Sequence, residues 1–120
     1  MWKEIVVSSI ILLILDGVFL WANRRMFQLQ VAEVQRVSME LKPLGAILCY
    51  PIIILGLYYF VLRQRKPVSD AMILGFVIYG VYETTNYALL KKWKLQTVLI
   101  DTLWGAVLFG LTTKLSYLVL

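Results

Sequence analysis

An all-α integral membrane fold, four antiparallel helices in a bundle, is what this sequence predicts, and three observations carry it. The chain of 120 residues is 61% hydrophobic with a mean hydropathy of +0.79, well above the roughly 45–50% apolar content of soluble domains. Four stretches, Ile5–Leu15, Ala46–Leu62, Ala71–Tyr82 and Leu103–Thr113, contain no charge. A soluble bundle would place a polar face on each of its helices. Arg24, Arg25, Arg63, Arg65, Lys66, Lys91, Lys92 and Lys94 all flank these stretches, where lipid head groups would meet them.

The first span is expected at about residues 5–21, with Trp2 and Trp21 as interfacial anchors. Its apolar run continues past Asp16 to Trp21 without a small-x-small cleavage site, so it reads as a retained span and not a signal peptide. The only long connection follows, over residues 26–42. Phe27, Val31, Val34, Val37 and Leu41 recur there at helical spacing among glutamines and charges. The spacing predicts an amphipathic helix lying in the membrane interface, with a helical hairpin packed on the bundle as the alternative.

Pro43 suits the first turn of the second span, expected at about 43–62, and Pro51 inside it is a candidate kink. The basic turn 63–67 leads to a third span at about 69–90, with Ser69 or Asp70 as its expected N-cap. Gly75 and Gly80 invite close approach of a neighbouring helix. A tight connection at 91–94 precedes the fourth span, at about 96–117. Short second and third connections require antiparallel neighbours. The reading is thus one four-span domain over 1–120, multi-pass, with both termini on one membrane face. The loop charges bias that face to the outside.

Composition also excludes functions. The net charge is +5 with a pI near 9.5, but the cations are scattered among loops and no nucleic-acid motif accompanies them. The chain has no histidine, which removes the commonest metal ligand and neutral-pH proton shuttle. No cofactor or metal is expected. The lone Cys49 lies in the second span and reads as a buried structural thiol.

The informative residues are three acids inside apolar runs: Asp16, Glu83 and Asp101. An aspartate at mid-helix costs about 2.5–3.5 kcal/mol on insertion scales, so each needs a reason. Late in span one, late in span three and early in span four, they fall toward one membrane face. On span three Tyr79, Glu83 and Asn86 follow i, i+4, i+7 and share a face, flanked by Tyr82. Thr97, Asp101 and Trp104 repeat that spacing on span four, while Ser9, Asp16 and Asn23 align on span one. Arg24 or Arg25 can neutralise one acid. Tyr58, Tyr59, Phe60 and Trp93 read as interfacial belt, whereas Tyr50 should lie deeper with a hydroxyl to satisfy.

The stretch Tyr82-Glu83-Thr84-Thr85-Asn86-Tyr87-Ala88, continuing to Trp93, and then Asp101-Thr102-Leu103-Trp104-Gly105, resembles a family of small four-span bacterial predicted membrane proteins of unknown function. Its signature is Tyr-Asp-x-Thr-Asn-x-Ala-Thr-x-x-x-Trp followed by Asp-x-x-Trp-Gly. Leu15-Asp16-Gly17-Val18-Phe19-Leu20 resembles its first-span Leu-Asp-x-x-Trp-Leu. This chain departs at Glu83, Leu89 and Phe19, where the family has aspartate, threonine and tryptophan. The resemblance implies an integral membrane protein with these polar positions as hallmarks, and it implies no activity.

Two functional expectations follow, neither enzymatic. The first is a structural or assembly component, with Asp16, Glu83, Asn86 and Asp101 as a buried polar cluster. Such a protein would be a homo-oligomer or a subunit of a larger membrane complex, with Gly75, Gly80 and Gly105 as contact points. The second is a small proton- or ion-coupled transporter using the intramembrane carboxylates. The bilayer is the partner in both, and nucleic acid in neither.

Overall fold

Five α-helices account for nearly all of residues 2–35 and 43–120, which the computed structural model describes: α1 (Trp2–Ala22), α2 (Arg24–Gln35), α3 (Pro43–Phe60), α4 (Val68–Leu89) and α5 (Leu95–Val119). Among the described residues there is no strand. Helix is the outcome apolar runs of this length impose in lipid, because it satisfies every internal backbone N–H and C=O within one segment. The long axis measures 45 Å, close to the ~40–45 Å of a bilayer with its head groups.

The packing is inside-out relative to a soluble protein. Ile10, Leu13, Ile14 and Val18 of α1 point outward, as do Ile52 and Leu55 of α3, Ile73 and Val81 of α4, and Leu99 and Leu103 of α5. The interior holds nearly as many polar side chains as apolar ones, among them Ser8, Asp16, Gln30, Glu83, Thr97, Asp101, Thr112 and Ser116. In water this arrangement would be unstable. In lipid the outer face needs no cover, and polar groups gain by pairing inside.

Three stretches are long and apolar enough to cross a membrane: Trp2–Ala22, Ile47–Gln64 and Leu95–Val119. The four-span expectation is corrected to that extent. α4 falls short because Asp70, Glu83, Thr84, Thr85, Asn86 and three tyrosines dilute its apolar content.

The strongest seam joins α4 to α5. A methyl group on Gly75 would overlap the Gly105 carbonyl, and one on Gly105 would lie 2.5 Å from Tyr79 Cγ. These two glycines therefore serve packing within the chain, and the expectation that they contact another copy is corrected. Gly80 faces Thr102 of the same seam. At the connection, Trp93 N donates to Leu90 O at 3.1 Å, a turn tight enough to hold the two helices antiparallel.

At the opposite end a 3₁₀ turn, Leu62–Gln64, closes on Arg65 in the left-handed region (φ 49°). Tyr117 donates to Lys66 O at 2.7 Å, tying the end of α5 to this connection. The capping expectation is also corrected. Pro67 occupies the N-cap of α4 without a side-chain bond, and Asp70 N bonds to Pro67 O instead.

The core is a plug of Leu12, Ile53, Ile54, Leu57, Leu108 and Phe109, all buried. It sits one to two helical turns beyond Asp16, Tyr50 and Trp104. α2 does not lie free in the interface. It docks on α1 and α5, which favours the packed alternative, although residues 36–42 of that expectation lie outside the described residues.

Candidate functional site

Asp16 is the junction of three helices. Its Oδ2 accepts from the Tyr50 hydroxyl of α3 at 2.5 Å, and its Oδ1 accepts from Trp104 Nε1 of α5 at 2.9 Å. The Trp104 ring stacks on Phe19 of α1, one turn further on, with centroids 4.5 Å apart and planes within 3°. Two donors on one carboxylate offset part of the cost of burying it, each contributing about 1.5–3 kcal/mol.

Glu83 is 1% exposed. Its Oε1 accepts from Trp93 Nε1 at 2.9 Å, while Oε2 is buried with no hydrogen-bond donor among the described residues. The carboxyl group of Asp101 lies beside it. Glu83 and Asp101 thus form a carboxyl pair linking α4 to α5, with Asp16 close by.

All three acids line one cavity of about 530 Å³, together with Tyr50, Tyr79, Tyr82 and Trp93. Leu20, Trp21 and Arg24 from the end of α1 and start of α2, with Phe27 and Val31 of α2, close its loop-side end. A second cavity of about 360 Å³ shares Tyr79, Tyr82 and Asp101 and adds Cys49, Ile53 and Ile78. Cys49 is exposed, so its reading as a buried thiol is corrected. It borders this second cavity on the outer side of α3. Among the described residues no group of three or more acids or thiols is disposed to hold a metal ion. The carboxyl groups line a wall and do not converge on a point.

The other predicted site residues divide. Tyr79 packs edge-to-face on Phe109, centroids 6.2 Å apart, and Tyr82 borders both cavities from a more exposed position. Thr97 is drawn away from the acids, donating to Gln30 Oε1 at 2.8 Å. Asn86 is half-buried and borders neither cavity. Ser9 and Asn23 bond back to Ile5 O and Phe19 O within α1. Arg24 lies against the Trp21 ring (4.7 Å to its centroid) and donates to Trp21 O at 2.7 Å. Neither Arg24 nor Arg25 pairs with an acid among the described residues, which corrects the expected neutralisation. Arg24 instead sits at the cavity mouth.

Two participants run against the sequence reading. Trp93, taken there for interfacial belt, is 9% exposed and is the donor to Glu83. Gln30, an ordinary polar position in an amphipathic pattern, is 2% exposed. Gln30 Nε2 donates to Lys92 O at 2.8 Å, and its Oε1 also accepts from Lys94 N at 2.9 Å. With the Lys94–Glu33 ion pair at 3.4 Å, it fastens α2 to the α4–α5 connection. The only signal for Gln30 was its one-turn offset from Phe27 and Val34, too common a pattern to single it out.

A family model described as Predicted membrane protein (DUF2177) matches residues 1–118. The chain belongs to the DUF2177 family. Membership accounts for the apolar exterior and supports a membrane protein of unassigned function. No curated protein and no solved structure matches the chain. The acid-lined cavity is the one place where this DUF2177 member gathers three carboxyl groups among its described residues.

Proposed function

We propose that this protein is a four-span membrane carrier that exchanges protons for cations at the Glu83–Asp101 pair. The observation that carries the reading is Glu83 Oε2: buried, facing a cavity, without a donor, and beside a second carboxyl. Two carboxylates in such contact repel strongly, and one proton shared between them supplies the missing donor and cancels one charge. A cation entering the cavity takes over that neutralising role, so cation binding and proton release become competing events at one site.

The packing of α4 supports a fourth crossing. It lies antiparallel to α5 along its length, joined by a tight turn, so it shares the depth of a helix that qualifies as a span. Its 22 residues extend about 33 Å at 1.5 Å per residue, enough for the hydrocarbon core. Among its polar residues Glu83 is buried toward α5, and Ser69 and Asp70 lie in its first turn. The plug formed by Leu12, Leu57, Leu108 and Phe109 separates the acids from the far face, as alternating access requires of one resting state. The assembly reading loses two of its contact points, Gly75 and Gly105, to the α4–α5 seam.

The test is counterflow in proteoliposomes with an interior pH dye and an imposed pH gradient. Added sodium, potassium or alkylammonium ions should collapse the gradient at least tenfold faster than in liposomes holding Glu83→Gln or Asp101→Asn of confirmed fold. If no cation accelerates the collapse in the unaltered protein, the carrier reading is wrong.

A further inference from the structure

The two cavities differ in what surrounds them, and the difference bears on what the site takes. The larger one is roofed at its loop end by Trp21 of α1 and by α2, where Arg24, Phe27 and Val31 stand and Gln30 fastens the helix down. An arginine there repels a cation arriving from that aqueous side. The smaller cavity has apolar walls from Cys49 and Ile53 of α3 and Ile78 of α4, leading to Tyr79, Tyr82 and Asp101. α3 is held to the bundle through α1 more than through α4, which leaves this cleft between α3 and α4. Asp16 is six residues before the end of α1, about 9 Å down at 1.5 Å per residue, and Tyr50 meets it there. Cys49, next to Tyr50, is exposed and lies within the apolar stretch Ile47–Gln64.

We infer that the cleft between α3 and α4 is a lateral portal for a membrane-soluble organic cation, whose charged centre docks at Asp101 and Glu83 while its apolar part lies along Ile53, Ile78 and Cys49. The inference rests on the carrier reading above and names its substrate class. Three observations point to this occupant. Among the described residues no cation pairs with the acids that line the cavity, and Glu83 Oε2 is buried with the Asp101 carboxyl beside it. Tyr50, Tyr79, Tyr82 and Trp93 surround the acids, and aromatic faces attract organic cations that have shed their water. The acids do not converge as a metal ion would demand, whereas a bulky ammonium or phosphonium needs only a negative wall.

Tetraphenylphosphonium is the probe, with tetramethylammonium as a water-soluble control, both on the full chain in lipid nanodiscs. Cys49, the single cysteine, is the native reporter. Bound tetraphenylphosphonium should slow alkylation of Cys49 by a membrane-permeant maleimide at least fivefold. Its binding by equilibrium dialysis should weaken at least tenfold in Glu83→Gln and in Ile53→Trp, the latter obstructing the cleft away from the carboxyl groups. Dye-reported proton release should accompany binding. If tetraphenylphosphonium neither binds nor protects Cys49, yet tetramethylammonium releases a proton that depends on Glu83, the lateral portal is refuted and the carrier reading stands. If neither cation releases a proton, the portal is refuted, and the carrier reading is refuted with it only if sodium and potassium also fail in the counterflow assay.

Discussion

Trp93 Nε1 donates to Glu83 Oε1 across 2.9 Å, so the connection between α4 and α5 bends back to hold an acid ten residues earlier. The same connection is gripped on its outer side by Gln30 through Lys92 O and Lys94 N. The acid pair and the α2 roof are thus fixed to the same five residues, 90–94.

Removing the Trp93 donor tests that link. Trp93→Phe keeps most of the ring volume but removes the donor to buried Glu83 Oε1, at a cost of about 1–3 kcal/mol. Glu83→Gln in the same background should recover part of the loss, because an amide tolerates burial better than an unpaired carboxylate. Reversible unfolding in mixed detergent, run as a double-mutant cycle, measures the coupling. Strictly additive losses would show that the bond contributes nothing.

At Asp16 the two donors come from different helices, Tyr50 of α3 and Trp104 of α5. Tyr50→Phe is expected to cost about 1.5–3 kcal/mol, the range for a hydrogen bond to a charged group. Asp16→Ala, which strands both donors, should cost more. Thermal unfolding in detergent ranks the two. A Tyr50→Phe variant as stable as the unaltered protein would mean that Asp16 does not need α3.

Gln30 makes three hydrogen bonds with its side-chain amide, and Leu fills similar space without any of them. In Gln30→Leu, backbone amides of α2 should exchange with deuterium at least tenfold faster, while those of the α4–α5 seam stay unchanged. Equal acceleration in both regions would mean that α2 opens only with the whole bundle.

A glycine of the α4–α5 seam and one on α3 are not interchangeable. Gly75→Ala forces its methyl group onto Gly105 O, and overpacking of this kind costs about 1–3 kcal/mol or more. Gly56→Ala meets nothing within 4 Å and should be neutral or stabilising by about 0.4–1 kcal/mol. Paired unfolding curves decide, and equal stability of the two variants would contradict the close approach.

The proposed crossing of α4 has a direct check. With Cys49 replaced by serine, single cysteines at Gln64 and Lys92 should react with an impermeant maleimide from opposite sides of sealed vesicles. Labelling of both from one side would show that α4 does not cross.

The sequence by itself determined that this is a helical membrane protein. Uninterrupted apolar runs at 5–15, 46–62 and 103–113 have no stable state but helix in lipid, and lone acids within such runs mark an interior. Helical spacing also put Asp16, Glu83 and Asp101 at one depth, since depth depends only on the rise per residue and on where each helix begins. What spacing leaves open is azimuth and partner. Thr97 shares a helical face with Asp101, yet docking of α2 turns its hydroxyl to Gln30. Asn86 shares one with Glu83 and stays outside the cavity. Trp93 has the composition of an interfacial anchor, and only the fold of the turn brings its N–H to Glu83. Gly75 and Gly105 read equally well as contacts with another copy until the antiparallel register of α4 and α5 sets them against each other. Those assignments belong to tertiary structure because each rests on the distance between segments far apart in the chain, which local periodicity does not encode.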